Sequence, residues 1–303
     1  MINKEPLVSI IVNCFNGEKY LNECLNSILA QTYENYEVIF WDNESTDSSK
    51  LIFLDVKDIR FKYFSDNDHV TLYSARNKAL KVTTGKYIAF LDVDDMWYPD
   101  KLEKQVKVME ENSEIGFCYS GFKFLSENSK KLNSAYNNKK LKSGYICSNL
   151  ISNYNVGILT LMVNKSIVTK NKIKFDERFT IMGDTDFVLR LSKISLGIPI
   201  KFDLAIYRNH LENLSKKTSL TVKERTIWSN EMISKSIFSN KELIPFIEET
   251  KYLDFVTLFK KQIFKKAFKK IFTLRGLFFI KGIFIILLRV KNLIFEEIKS
   301  IIK

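Results

Sequence analysis

Apolar and polar positions alternate along the first ninety residues in blocks that switch between a strand period and a helix period. Leu7-Val-Ser-Ile-Ile-Val12 is a β-branched run suited to a central strand, and it stops at Asn13-Cys14-Phe15-Asn16-Gly17. Tyr20, Leu21, Cys24, Leu25, Ile28 and Leu29 then recur at helical spacing, with Asn16 as the expected cap. Tyr36 to Trp41 predicts a second strand, closed by Asp42-Asn-Glu-Ser-Thr-Asp47, in which Ser45, Thr46 or Asp47 would cap the next helix. Phe61 to Phe64 predicts a third strand, and Leu72, Ala75, Ala79 and Leu80 mark a helix that ends by Gly85. The uncharged run Tyr87 to Leu91 then predicts a fourth, buried strand, followed at once by Asp92, Asp94 and Asp95.

Strands alternating with helices at this spacing predict a parallel α/β sheet of the nucleotide-binding type. Such sheets place ligands beyond the C-terminal ends of their strands, and two of these ends carry acids, Asp42 and the Asp92–Asp95 group. Carboxylates this close raise one another's pKa unless a cation or many donors compensate, so a divalent metal is one expected resident and a solvated turn the plainer alternative. Neither GxGxxG nor GxxxxGK[ST] follows a strand, which leaves a metal bridging phosphates as the economical way to hold a nucleotide.

Further along, Pro99 suits the first turn of a helix whose Leu102, Val106 and Met109 share a face. Ile115 to Tyr119, Phe122 to Leu125 and Val156 to Val163 read as strands, and Ser126 to Ser143 as a polar surface loop. Asp184 follows Gly183 at the head of a helical pattern carrying Phe187, Val188 and Leu191; an acid in that place ordinarily caps a helix. Tyr207-Arg208-Asn209-His210, followed by Asn213 and Ser215, contains one of two histidines in the chain, placed where it could reach phosphate or metal.

The chain has 303 residues, 46% hydrophobic and 27% charged, enough for one large or two small domains with a real core. Its charge of +12 is unevenly spread: residues 251–303 hold 11 Lys and 2 Arg against Asp254, Glu296 and Glu297, a net of +10. Phe255, Leu258, Phe259, Ile263, Phe268 and Phe272 recur between lysine pairs at 260/261, 265/266 and 269/270, the pattern of one basic amphipathic helix. Leu277 to Leu288 is too short and too charged to span a bilayer. The tail therefore points to an anionic membrane surface, with packing against the rest of the protein or homo-oligomerisation through these helices as the alternative, and not to nucleic acid. Cys14, Cys24, Cys118 and Cys147 lack CxxC spacing and read as reduced core thiols. Met1 to Pro6 leads straight into a strand pattern with no signal peptide, so a cytoplasmic protein at the inner face of the cell membrane is expected.

Taken together, residues 6 to 216 resemble the family 2 glycosyltransferases of the GT-A fold, of the bacterial polysaccharide-biosynthesis type. The resemblance rests on five collinear motifs: Val8 to Val12 with Phe15-Asn16-Gly-Glu-Lys-Tyr20-Leu21, Asp42-Asn-Glu-Ser-Thr-Asp47, Ala75-Arg76-Asn77, Gly85 to Asp95 with its DxD pair, and Gly183-Asp184-Thr-Asp186 with Leu189-Arg190-Leu191. It implies an α/β GT-A domain over 1–216, with a mostly parallel central sheet flanked by helices, and a basic helical extension over 217–303. It also implies an inverting, metal-dependent transfer of a hexosyl or N-acetylhexosaminyl group from a nucleoside diphosphate sugar, UDP-sugar favoured, to a hydroxyl of a growing, lipid-linked glycan. By the same resemblance Asn13, Phe15, Asp42, Arg76, Asp92, Asp94 and Asp95 bind the nucleotide-sugar. Asp94 and His210 hold Mn²⁺ or Mg²⁺, and Asp184 is the general base. Two positions depart from the family pattern: Gly183 stands where a Glu usually precedes the base, and Phe15 replaces a Tyr and cannot offer its hydroxyl. A non-catalytic nucleotide-sugar-binding scaffold and a sugar nucleotidyltransferase are the alternatives, the latter lacking its Gly- and Arg-rich loop in Asn13 to Lys19.

Overall fold

The predicted alternation of strand and helix is present in the computed structural model, which describes residues 5–127, 130–135 and 138–288. The chain forms two compact units, Met1–Asn213 and Leu214–Lys303, divided three residues before the expected boundary.

In the first unit the chain runs β1 (Val8–Cys14), α1 (Glu18–Leu29), β2 (Tyr36–Asp42), α2 (Ser49–Asp55), β3 (Phe61–Ser65), α3 (Leu72–Val82) and β4 (Tyr87–Asp92). These four strands pair in parallel in the order β3-β2-β1-β4. Val8, Ile10 and Val12 of β1 pack with Leu21, Leu25 and Ile28 of α1 in the main core, as the strand and helix periods require. The register sets the strand ends level: Asn13 lies opposite Asp92 on one side and Trp41 on the other, and Cys14 lies opposite Asp42. Asp92 and Asp42 thus end adjacent rows of the sheet, one on each side of β1.

The second half is mixed where a mostly parallel sheet was expected. It comprises β5 (Met96–Trp97), α4 (Lys101–Glu111), β6 (Ile115–Ser126), β7 (Leu132–Ser134), α5 (Cys147–Ser152), β8 (Met162–Asn164), α6 (Lys165–Lys170), α7 (Gly183–Ile194) and β9 (Leu196–Asn209). β8 pairs antiparallel with both β4 and β6, β9 is parallel to β6, and β5 closes the edge antiparallel to β9. The strands expected at Ile115–Tyr119 and Phe122–Leu125 are one strand, whose register against β9 slips at Ser120, Gly121 and Phe122. The strand expected over Val156–Val163 shrinks to β8, because Ile158–Thr160 turns as a 3₁₀ helix in which Thr160 Oγ1 donates to the Gly157 carbonyl. Leu132–Ser134 pairs with β6 inside the segment read as a loop; residues 128, 129, 136 and 137 lie outside the described residues.

An aromatic stack ties the halves together. Phe175 lies flat between Phe187 of α7 (4.3 Å) and Tyr73 of α3 (5.7 Å), with Phe90 of β4 edge-on at 5.7 Å. Asn77 of α3 clasps Phe175 through both backbone groups, its Nδ2 donating to the carbonyl and its Oδ1 accepting the N–H, each at 2.9 Å. Full burial of such rings is worth about 1.5–3 kcal/mol apiece, which holds α7 against α3 and β4. All four cysteines are buried as thiols.

The second unit consists of α8 (Thr218–Ser234), α9 (Asn240–Lys260), α10 (Phe264–Ile271) and a further helix over 276–288. The single amphipathic helix expected over 255–272 is therefore two helices, broken at Lys261–Ile263 where Gln262 takes φ 61°. Among the described residues no helix is long and apolar enough to cross a membrane.

Candidate active site

The site begins with two turns stitched together. Asn16 does not cap α1; it sits at φ 53°, which Asn tolerates, and its Oδ1 accepts from Thr46 N at 2.8 Å. Asp47 does the capping work at both helix starts, accepting from Glu18 N at the head of α1 and from Ser49 N at the head of α2, each at 2.9 Å. Gly17 is required here, because a Cβ would come within 2.9 Å of Val93. The loop after β1 is thereby fixed against the loop after β2.

Asp42 closes β2 and is buried, accepting from Ser45 N at 2.8 Å and from the Tyr63 hydroxyl at 2.7 Å. Next to it, Asn43 grips Val70 through both backbone groups, fastening the loop that carries His69. His69 lies 4.2 Å from the ring of Phe15, which is half exposed, and its Nδ1 is 2.9 Å from the Asn43 carbonyl. Since a carbonyl only accepts, Nδ1 carries the proton in that contact. Asn13 is buried with neither amide atom hydrogen-bonded, a cost that a ligand able to pair with it would relieve.

Across β1 the acids are tied to a single arginine. Arg76 of α3 is 1% exposed, and its guanidinium donates to Asp92 Oδ1 at 2.6 Å and to Asp184 Oδ1. Burial works against its charge, but Asp184 and Asp92 together raise its pKa above the ordinary value. Asp184 does not cap α7, whose start has no side-chain cap. Its carboxyl is pushed up to about 6: burial raises it, Arg76 opposes, and Asp92 adds to the rise. Gly183 is explained by Tyr73, whose ring would lie 2.4 Å from any Cβ there and whose hydroxyl donates to the Ile181 carbonyl at 3.0 Å. The glutamate usual at that position has no room beside this tyrosine.

Asp94 and His210 meet: His210 Nε2 lies 2.9 Å from Asp94 Oδ2. Burial and then the charge of Asp92 raise the Asp94 carboxyl, with His210 opposing. Asp95 is a support rather than a ligand candidate, buried and accepting from Arg208 N at 2.9 Å, so that it pins β9 to the acid loop. Burial, then Asp94 and Asp92, push its carboxyl well above the usual range. Arg208 also donates to the Asp94 carbonyl at 3.0 Å and to Glu23 at 2.8 Å, and it lies 4.7 Å over the Tyr20 ring. Tyr20 in turn lies 5.2 Å from His210. Among the described residues no three His, Cys, Asp or Glu side chains form a ready-made metal cage. Asp94 and His210 nevertheless fit a hard divalent cation that takes its remaining oxygens from a diphosphate, since they supply an oxygen and an imidazole donor where carboxylate charge is under-compensated.

The structure thus brings Asp92, Asp94, Asp95, Arg76, Asp184 and His210 into one linked constellation and sets Asp42, Phe15 and Asn13 around the β1 and β2 ends. His69, Tyr63, Tyr20 and Arg208 were not assigned roles from the sequence. His69 was countable as the other histidine, but nothing local announces its contact with Phe15.

A β3-β2-β1-β4 sheet extended by β8, β6 and β9, with carboxylates at the strand ends and a further acid on α7, is the GT-A fold. The family profile described as "Glycosyl transferase family 2" matches residues 9–164. An uncharacterized glycosyltransferase of Methanocaldococcus jannaschii is 31% identical over 204 residues, 66% of this chain and 68% of that protein. Escherichia coli WfgD, a UDP-Glc:alpha-D-GlcNAc-diphosphoundecaprenol beta-1,3-glucosyltransferase, is 38% identical over 123 residues, 41% of this chain and 48% of its own. Bacillus subtilis TuaG, a putative teichuronic acid biosynthesis glycosyltransferase, is 36% identical over 137 residues, 44% and 53% of the two chains. The match thus spans about half the length of WfgD and TuaG. A crystal structure of S. aureus TarS in complex with UDP-GlcNAc has the same fold, with a TM-score of 0.65 at 18% identity over 80% of this chain and 71% of that one. The chain belongs to glycosyl transferase family 2.

Proposed function

We propose that the protein moves a hexosyl or N-acetylhexosaminyl group from a UDP-sugar to a hydroxyl of a lipid-linked glycan, with inversion. The observation that carries this reading is the bridge from Asp184 through Arg76 to Asp92, which sets an acid from the start of α7 beside the acids that end β4. A donor phosphate and an acceptor hydroxyl would meet beside Asp92 and Asp184, the two carboxylates that Arg76 holds together.

Asp184 takes the acceptor proton. Arg76 occupies its Oδ1 and leaves Oδ2 for the hydroxyl, while a pKa of about 6 suits a base working near neutrality. Phe15 and His69 flank the base, Asp42 accepts from the ribose or base edge, and Asn13 pairs its unsatisfied amide with the same nucleoside. Asp94 and His210 would hold Mn²⁺ or Mg²⁺, which when bound offsets the charge growing on the leaving diphosphate. The names of WfgD, with a UDP-Glc donor and a diphosphoundecaprenol acceptor, and of the TarS complex with UDP-GlcNAc support the choice of UDP and of a lipid-linked acceptor.

The test is calorimetric titration of UDP-, GDP- and dTDP-sugars with and without Mn²⁺, paired with donor hydrolysis. Metal-dependent binding of a UDP-sugar supports the reading, and Asp94→Ala should abolish the metal dependence. Absence of binding by every donor, or an Asp94→Ala protein indistinguishable from the parent, overturns it.

A further inference from the structure

The second unit exposes apolar side chains that its own packing does not use. Phe255, Phe259, Ala267, Ile271 and Leu274 form its core, so much of the tail's apolar spacing serves internal packing. The helix over 276–288 buries Gly282 against Ile271 and Leu274 and turns Phe278, Ile285 and Ile286 inward. Its other face carries Leu277, Ile280, Phe284 and Leu287, at the i, i+3, i+7, i+10 spacing of one helical stripe, and these are 58–64% exposed. On α10, Phe268 and Phe272 are also exposed, Phe272 at 80%.

Charge is woven through these residues. Lys281 lies on the Leu277–Phe284 stripe, and Lys265 and Lys269 form the row beside Phe268 and Phe272. Residues 251–288 hold eight Lys and one Arg against Asp254 alone, and Asp254 is paired with Lys270. Lys265, Lys266 and Lys269 make no ion pair among the described residues.

We infer that this face lies on an anionic lipid bilayer, without crossing it. A protein partner would ask for an apolar patch depleted of lysine at its centre, whereas a headgroup layer accepts apolar side chains below and snorkelling ammonium groups above. Each lysine near an anionic surface adds about 1 kcal/mol of attraction, which falls as salt screens it. The inference rests on this surface alone and holds whatever the donor sugar is.

The test is co-sedimentation of the full chain with vesicles of phosphatidylcholine alone or mixed with phosphatidylglycerol. Binding is expected to the anionic vesicles at low salt, with release as salt rises and little binding to phosphatidylcholine. Replacing Leu277, Ile280, Phe284 and Leu287 with Ser should weaken binding at least about tenfold, with the thermal unfolding of the chain unchanged because all four side chains face outward. Lys265→Gln with Lys266→Gln and Lys269→Gln should remove most of the preference for anionic lipid. Equal binding to both vesicle types, no binding at all, or serine variants that bind like the parent overturn the inference. So does a dimer in lipid-free solution that those serine substitutions dissolve, since the face would then belong to a second copy.

Discussion

The two halves of the catalytic sheet are built on different plans, and in our reading they divide the chemistry accordingly. The β1–β4 half is parallel, with its strand ends level, and it presents Asn13, Phe15 and Asp42 from turns locked by Asp47, Ser49 and Asn16. The β6, β8 and β9 half is mixed and irregular, and it contributes α7 with Asp184 and the β9 end with His210. The first half offers stacking and hydrogen bonds to a nucleoside. On the proposed function, the second would supply the base, Asp184, and one metal ligand, His210. Substitutions in the first half should therefore act on donor affinity, substitutions in the second on turnover, and Arg76, which touches acids from both, should act on both.

The largest effect is expected from Arg76→Met. It keeps much of the side chain's bulk but leaves Asp92 and Asp184 facing each other without their cation, in a place where removing one partner of a buried pair costs about 3 kcal/mol or more. The low end applies, since both carboxylates retain some contact with water. Urea unfolding should show this loss in the midpoint. Donor affinity and transfer rate should both fall; an Arg76→Met protein as stable as the parent would show that the bridge is incidental.

Asp184→Asn should separate the halves. The amide keeps the shape and removes the base, so UDP affinity should stay within about twofold while the transfer rate drops by about 10²–10⁴. In the parent, the base is competent only when ionised, so the rate should fall as pH drops through about 6 and level off above it. Arg76, Asp92 and Tyr73 are the titratable and charged groups that face this carboxyl, and Arg76 and Asp92 set its level in opposite directions. A pH profile with its acid limb near 4 would place the base elsewhere.

How much of this was legible follows from the range of the interactions. Strands β1 to β4 could be read because each is a short buried run between an amphipathic helix and a polar turn, and both signals are local. Ile115–Leu125 read as two strands because Ser120-Gly121 interrupts the apolar pattern, whereas the register against β9 absorbs the break. Val156–Val163 read as a strand because an apolar run does not reveal the turn that Gly157 and Thr160 make. Among the candidate residues, Asp42, Asp92, Asp94 and Asp184 stand out because acids after buried runs or at a helix head are conspicuous. That Arg76 joins two of them is a tertiary fact spanning 108 positions to Asp184, and no local spacing encodes it. The same holds for Tyr73, which explains Gly183 only once α3 and α7 are seen side by side.

The smallest effect sharpens the comparison most, because it pairs Phe15, which the resemblance named, with His69, which the sequence left without a role. Phe15 and His69 come from loops after β1 and β3, and each loop is tied to the β2 end, through Ser45 and Thr46 on one side and Asn43 on the other. If they grip the base, His69→Ala should weaken UDP binding about tenfold, the worth of one stacked aromatic contact, and leave pyrophosphate binding unchanged. Phe15→Ala should do the same. Because the two rings touch, the double variant should lose less than the two single losses multiplied, and the turnover of bound donor should be preserved in all three. A drop in turnover at unchanged affinity would mean that this pair meets the reacting sugar rather than the base, and the division of labour between the halves would fail there.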